Sequence, residues 1–224
     1  MANQQDLTKG RVMHTMSLFA LPMIFGNLLQ QGYNIVDTWV VGHMVGPDAL
    51  AAVGAAFALM TFLTSVLLGL CMGSGTVFSL CFGRQDLKEL QDSICASFLL
   101  LAAVAAALTA LSLLGVDALV RWMQIPQEII RMTRDYLVMV FWGIPAVAAY
   151  NFFAAYLKAV GNSFIPLVFL GVSTVSNILL DLLFVAVFSW GTHGAAFATV
   201  ISQYLAALGI GLFVLAGEPT MRCA

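Results

Sequence analysis

Two aspartates lie in long segments that otherwise lack charged residues. Asp37 follows the uncharged run 12–36, and Asp181 separates 159–180 from the uncharged run 182–217. An aspartate near the centre of a membrane helix costs about 2.5–3.5 kcal/mol, so such residues usually have a function. We therefore expect both carboxyl groups to face a cavity as ion or proton sites. The alternative is an aspartate at a helix end, solvated by water among the lipid headgroups.

Two further polar residues could complete such a site. Asn177 precedes Asp181 by four positions, which places both on one face of a helix. Thr199, in the next apolar segment, could add a hydroxyl oxygen. Hard cations take oxygen ligands, so the three residues Asp37, Asn177 and Asp181 are candidate ligands for Na⁺. The same residues could bind protons instead, and the sequence leaves the two ions open.

Several amides in the apolar segments could line a cavity. Gln30 and Asn34 lie within two turns of Asp37, and Asn151 lies in another apolar segment. Such side chains also form hydrogen bonds between membrane helices without lining any cavity. Both interpretations remain open for all three.

Three prolines fall within the apolar segments, namely Pro22, Pro145 and Pro166. Proline removes a backbone donor and bends a helix. Beside buried polar groups, bent helices indicate a chamber whose walls can move, with Pro22 as a candidate gating position. A static kink that aids packing is the alternative for each proline.

The composition predicts that these segments cross a membrane as helices. Hydrophobic residues form 61% of the 224-residue chain and charged residues 9%, against about 25% charged residues in soluble domains. Because backbone groups in hydrocarbon must be paired internally, and because about 20 apolar residues span a bilayer, we predict an all-α polytopic membrane protein. Its six transmembrane helices are placed at 14–41, 49–82, 90–115, 130–156, 163–187 and 194–216.

Charge on the connections predicts the orientation. Six spans put both termini on one side, with the segment 1–13 before the six-helix region 14–216 and the tail 217–224 after it. That side holds six basic residues and the other holds three, which favours cytoplasmic termini by the positive-inside rule. The net charge of −2 gives no reason to expect a nucleic-acid partner.

Four sequence stretches together resemble one transporter family. They are LPMIFGNLLQQGYNIVDTWVVGHMVGPDALAAVG, GSGTVFSLCFGRQD, LKAVGNSFIPLVFLGVSTVSNILLDLLFV and HGAAFATVISQY. In this order they resemble the N-terminal six-helix lobe of the multidrug and toxic compound extrusion (MATE) transporters. The resemblance implies a multi-pass protein of the plasma (inner) membrane that exports small organic compounds in exchange for Na⁺ or H⁺.

The resemblance also implies roles for individual residues. Asp37, Asp181, Asn177 and Thr199 match the family's cation-binding or protonation site. Pro22 matches a first-helix proline associated with bending, and Tyr136 matches a fourth-helix tyrosine near the site. No organic cofactor and no enzymatic activity are expected, and the bilayer, an organic substrate and a second lobe are the expected partners.

The chain departs from the family in length, because members carry two six-helix lobes. A homodimer could restore the second lobe, a separate chain could supply it, or the chain is a truncated fragment that does not transport. Two other functions are alternatives for a polytopic membrane protein of this kind. An intramembrane aspartyl protease would also need two membrane aspartates, but its Gly-x-Gly-Asp signature is absent. A lipid-linked glycan flippase would be expected to carry more cationic residues in its chamber.

Overall fold

The computed structural model describes residues 12–217, and within that range the secondary structure is helical with no strands. The prediction of an all-α membrane protein is confirmed. Seven helices and one short π-helical segment follow one another along the chain: α1 Val12–Met44, α2 Pro47–Gly83, α3 Leu87–Trp122, α4 Ile130–Phe141, α5 Ile144–Ala159, α6 Phe164–Asp181, the π segment Leu182–Val187, and α7 Gly191–Gly217. The segments predicted at 1–13 and 217–224 lie almost entirely outside the described residues.

By length and composition, four of these elements can cross a membrane. They are α2, α3, α6 together with the π segment, and α7, and the pair α4–α5 counts as a fifth if its two helices form one span bent by 43°. The six predicted segments correspond to α1, α2, α3, α4 with α5, α6 with the π segment, and α7. That α1 crosses the membrane as well stays a prediction.

The connections explain where these helices begin and end. Gly46 adopts a φ of 122°, which favours glycine, and Pro47 then starts α2 at a position where its missing N–H is not needed. Asp86 caps α3, because its side chain accepts a hydrogen bond of 3.0 Å from the Glu89 N–H. Each of these connections is only two or three residues long.

The structure tests three details of the predicted spans. The third span was placed at 90–115, but α3 continues to Trp122, so Asp117 and Arg121 lie on its last turns. The span 130–156 is broken at 142–143, as expected from Pro145, which lies in the first turn of α5. Pro166, however, does not interrupt α6, because it lies in the first turn, where a proline breaks no intrahelical hydrogen bond.

An aromatic cluster packs between α2, α3 and α5. Phe152 on α5 contacts Phe78 on α2 and Phe98 on α3, with ring centroids 5.9 and 5.4 Å apart, and Phe78 and Phe152 are almost fully buried. These aromatic rings hold one side of the bundle. On the other side α1 packs against α6, and α6 packs against α7. Asp37, Asn177, Asp181 and Thr199 belong to these last three helices, whereas Tyr136 belongs to α4 and Asn151 to α5.

Candidate functional site

The two aspartates meet although they come from distant parts of the chain. Asp37 on α1 is 8% exposed and Asp181 at the end of α6 is fully buried, and the two carboxyl groups lie within hydrogen-bonding reach of each other. In neither carboxyl group does Oδ1 accept a hydrogen bond from any described residue. Both side chains are therefore buried in the bundle, and Asp37 lies mid-helix rather than at a helix end.

Neighbouring residues on each helix direct these carboxyl groups inward. Val40 and Val41 follow Asp37 on the same face of α1 and are almost fully buried. On α6, Thr174 and Asn177 precede Asp181 by seven and four positions, and both are buried. The inward face of α6 is thus polar over two turns, and α1 presents its aspartate to that face.

Asn177 links the aspartates to α7. In one orientation of its amide, Nδ2 donates to the Thr199 hydroxyl at 3.4 Å. In the other, Nδ2 donates to Asp181 Oδ2 at 2.9 Å, and the amide oxygen accepts from the Thr199 N–H at 3.3 Å. We adopt the second orientation, because it makes two hydrogen bonds and one of them is short and involves a carboxylate.

Tyrosines from two further positions close the site. The Tyr33 hydroxyl, one turn before Asp37, donates to Thr199 Oγ1 at 3.4 Å. Tyr136 on α4 is 7% exposed and lies within electrostatic range of both carboxyl groups. The site therefore draws side chains from four helices. Tyr136 was matched only through the family resemblance, and no local sequence pattern pointed to it.

A cavity of about 1640 Å³ borders the site. Asp37, Asn177 and Thr199 contribute to its wall, whereas the fully buried Asp181 does not. Each of the other residues proposed from the sequence also lines this cavity; they are Pro22, Gln30, Asn34, Tyr136 and Asn151. The Asn151 side chain also donates a hydrogen bond of 2.8 Å to the Val147 carbonyl of its own helix, which leaves its amide oxygen and one N–H for a ligand.

The oxygen atoms that converge here suit a small hard cation. Two carboxylates and the Thr199 hydroxyl lie together, and oxygen donors of this kind are the ligands that such cations take. In the adopted orientation Asn177 turns its amide nitrogen toward Asp181 and its oxygen toward the Thr199 N–H. Among the described residues no three His, Cys, Asp or Glu side chains form a cluster. The geometry is equally compatible with a proton shared between the two carboxyl groups. Which ion binds stays a prediction.

Two features of the site lay outside the residues singled out in the sequence. Thr174 is buried and lines the cavity. It precedes Asn177 by three positions, a spacing that places both on one helix face and could have identified Thr174 from the sequence. The π segment begins directly after Asp181, and π turns are frequent at functional sites. The amino-acid sequence carries no comparable signal for the π turn.

Comparison with known proteins agrees with this architecture. The family model MatE matches residues 22–183. The chain is 33% identical over 208 residues to the "Probable multidrug resistance protein YpnP" of Bacillus subtilis, covering 93% of this chain and 46% of that protein. It is 29% identical over 196 residues to "DNA damage-inducible protein F" of Escherichia coli, covering 88% of this chain and 42% of the relative.

Solved structures show the same fold. A crystal structure of MATE in complex with MaL6 superimposes with a TM-score of 0.92 at 23% identity, covering all of this chain and 50% of that one. An outward-facing multidrug resistance MATE family transporter gives a TM-score of 0.86 at 24% identity, covering 92% and 46%. The chain thus spans about half the length of the relatives that it matches. By the family match and this shared fold, the chain belongs to the MatE family of integral membrane transporters.

Proposed function

We propose that this chain forms one lobe of a cation-coupled antiporter that exports small organic compounds. The observation that carries the proposal is the meeting of Asp37 and Asp181 at the wall of a large cavity within a helical membrane lobe. The relatives named as multidrug resistance and multidrug export proteins support the substrate class. Because the matched relatives are transporters, transport is favoured over peptide cleavage by the same aspartate pair.

The coupling ion would be Na⁺ or H⁺, held between the two carboxyl groups. Two ionised carboxylates in contact repel each other strongly in apolar surroundings. A cation or a proton between them removes that repulsion, while the Thr199 hydroxyl adds an oxygen atom on one side and the Asn177 amide donates a hydrogen bond to Asp181. Asp37 borders the cavity, so it gives the ion a route to water, while the buried Asp181 keeps the ion in the lobe.

The cavity would receive the organic substrate. Its volume of about 1640 Å³ exceeds the roughly 300–1,000 Å³ of typical small-molecule pockets. Its wall combines apolar and aromatic side chains with amides such as Gln30 and Asn34. A positively charged compound near Asp37 would compete with the coupling ion for the carboxylate. An antiporter requires such competition, because binding of the ion must release the organic substrate.

A second lobe would cover the open side of the cavity. The amide side chains of Asn27, Gln30 and Gln31 on α1 are exposed on this side. Lipid tails cannot hydrogen-bond to these groups, so they require water or protein in front of them. We infer that a second six-helix lobe, from a second copy of this chain or from another chain, faces them.

Substitution of the two aspartates tests the mechanism. Asp37→Asn and Asp181→Asn keep the size of each side chain but remove the charge that holds the ion, so each should abolish ion-driven efflux. Efflux of a fluorescent organic cation is measured in cells that lack their own exporters, with the amount of protein in the membrane checked by immunoblotting. Dissipating the Na⁺ gradient or the H⁺ gradient in turn identifies the ion.

The matched control is Asp92→Asn on α3, which removes one exposed carboxylate that does not line the cavity. Its efflux should equal that of the unaltered protein. Undiminished efflux in both Asp37→Asn and Asp181→Asn would reject ion coupling through this pair.

A further inference from the structure

Three arginines that the predicted topology places outside the cytoplasm line a single small cavity. Arg121 comes from the last turns of α3, and Arg131 and Arg134 come from the first turns of α4. The cavity has a volume of about 270 Å³, and its remaining lining residues are Asp117, Val120 and Ile130. All three basic residues expected on that side of the membrane therefore gather at one place, here named the arginine pocket.

Within residues 12–217 only Arg134 of these arginines forms an ion pair with an acidic side chain, and Asp117 also lies within electrostatic range of Arg121. Arg134 Nε lies 2.6 Å from Asp117 Oδ1, and its Nη1 lies 3.7 Å from Asp135 Oδ1. Arg121 and Arg131 have no acidic partner within 4.0 Å among residues 12–217, and Glu128, in the same connection, forms no such pair there. Two guanidinium groups thus remain free for an anion.

The surroundings of the arginine pocket identify the kind of anion. Guanidinium groups bind phosphate oxygens with matching geometry. On α3, Leu114 precedes Arg121 by seven positions on the same helix face and is 86% exposed, and Leu111 one turn below is 67% exposed. Trp122, 79% exposed, marks the end of the helix, where membrane proteins place aromatic residues at the lipid–water boundary.

We propose that the arginine pocket binds the phosphate of an anionic lipid headgroup. Arg121 and Arg131 hold the phosphate, and the acyl chains lie along Leu111 and Leu114. Free inorganic phosphate shares the headgroup chemistry but has no chains to cover these leucines. Basic pockets between membrane helices bind phospholipid headgroups on the cytoplasmic side of membranes, and the arginine pocket offers the same chemistry on the opposite side. The site is separate from the Asp37–Asp181 site and does not depend on the proposed transport.

Native mass spectrometry of the purified 224-residue chain tests the proposal with phosphatidylglycerol as the probe. The double variant R121Q/R131Q removes both free charges and should weaken the tightest lipid binding about 30-fold, from the contribution of each basic residue near a membrane surface. R121K/R131K keeps the charges and should bind at an intermediate level. Phosphatidylcholine with the same acyl chains should be retained less well than phosphatidylglycerol.

The matched control is R84Q/K88Q, which removes the same charge at the turn between α2 and α3 and should leave the tightest binding unchanged. The proposal is overturned if R121Q/R131Q retains phosphatidylglycerol as well as the unaltered chain does, or if the control loses as much. It is also overturned if inorganic phosphate displaces the lipid at equal concentration, because the site would then recognise a free anion. A thermal unfolding midpoint equal to that of the parent verifies that R121Q/R131Q is folded.

Discussion

At the scale of single residues, the two aspartates differ in the hydrogen bonds that their carboxylate oxygens accept. Asp181 Oδ2 accepts a hydrogen bond from Asn177, whereas Oδ1 of Asp181 and Oδ1 of Asp37 accept none from the described residues. A buried acceptor without a partner costs about 1–3 kcal/mol. A bound cation or proton would satisfy these oxygens without breaking any existing hydrogen bond, so the protein leaves them available to the ion.

Thr199 allows the oxygen ligands to be tested one at a time. Thr199→Val keeps the shape but removes the hydroxyl that accepts from Tyr33 at 3.4 Å. The ion concentration that half-saturates efflux should rise roughly two- to tenfold, the effect expected for the loss of one hydrogen bond. Thr199→Ser retains the hydroxyl and should stay close to the unaltered protein. Equal half-saturating ion concentrations for Thr199→Val and Thr199→Ser would show that the hydroxyl does not contribute to ion binding.

The sequence located the site residues that differ most from their surroundings. Asp37 and Asp181 are charged residues in apolar segments, and Asn177 follows from its four-residue spacing to Asp181. Tyr33 was only one of several polar residues near Asp37, because spacing does not reveal which face of α1 packs inward. Tyr33 is recognised as part of the site only when α7 brings Thr199 next to it.

At the scale of secondary structure, the segment after Asp181 is held by a close contact with α7. Gly194 on α7 lies against the backbone of Phe184, and a Cβ atom at Gly194 would lie 3.0 Å from Phe184 Cβ and 3.1 Å from its carbonyl carbon. Phe184 also stacks on Trp190 with ring centroids 5.2 Å apart. The π segment is thus fixed from α7, and with it the end of α6 that carries Asp181.

Gly194→Ala should therefore destabilise the protein. Its methyl group must displace backbone rather than a flexible side chain, and overpacking of this kind costs about 1–3 kcal/mol. The midpoint of thermal unfolding in detergent should fall measurably. Gly115→Ala on α3 is the control, because a Cβ there meets no atom within 4 Å and alanine favours a helix. A midpoint for Gly194→Ala equal to that of Gly115→Ala would contradict the role of this contact.

Pro22 is expected to affect the rate of transport more than the affinity for the ion. It lies inside α1, fifteen residues before Asp37, and its ring removes one backbone hydrogen bond of that helix. Pro22→Ala restores the donor and stiffens α1. The maximal efflux rate should fall several-fold while the half-saturating ion concentration stays within about twofold, since no ligand is removed. An unchanged rate would assign Pro22 to static packing.

Helix boundaries were predicted less well than helix identity. The apolar runs identified each helical segment, and Pro145 indicated the break between α4 and α5. The extension of α3 to Trp122 was missed because Asp117 and Arg121 resemble loop residues by charge. The π segment was missed because it depends on a shift of backbone hydrogen bonds, and apolar residues such as Leu182–Val187 fit an α-helix equally well.

At the scale of the whole molecule, the orientation in the membrane rests on a few charges. Six basic residues against three favour cytoplasmic termini. A reporter that is active only in the cytoplasm, fused after Ala224, should therefore be active. Replacing both Arg84 and Lys88 with Gln lowers the excess of basic residues on the predicted cytoplasmic side. The fraction of the fused reporter that is active should then fall. An inactive cytoplasmic reporter on the unaltered chain would reverse the topology and place the arginine pocket on the cytoplasmic side.

The joining of Asp37 and Asp181 has a thermodynamic consequence. One belongs to the first helix and the other to the sixth, so the two carboxyl groups meet only when the polypeptide has folded. Any ion that they hold together binds the native state in preference to the unfolded one, and by mass action it must shift the folding equilibrium. The stability of the lobe should then depend on the ionic composition of the water around it, and a transport site of this kind also reinforces the fold.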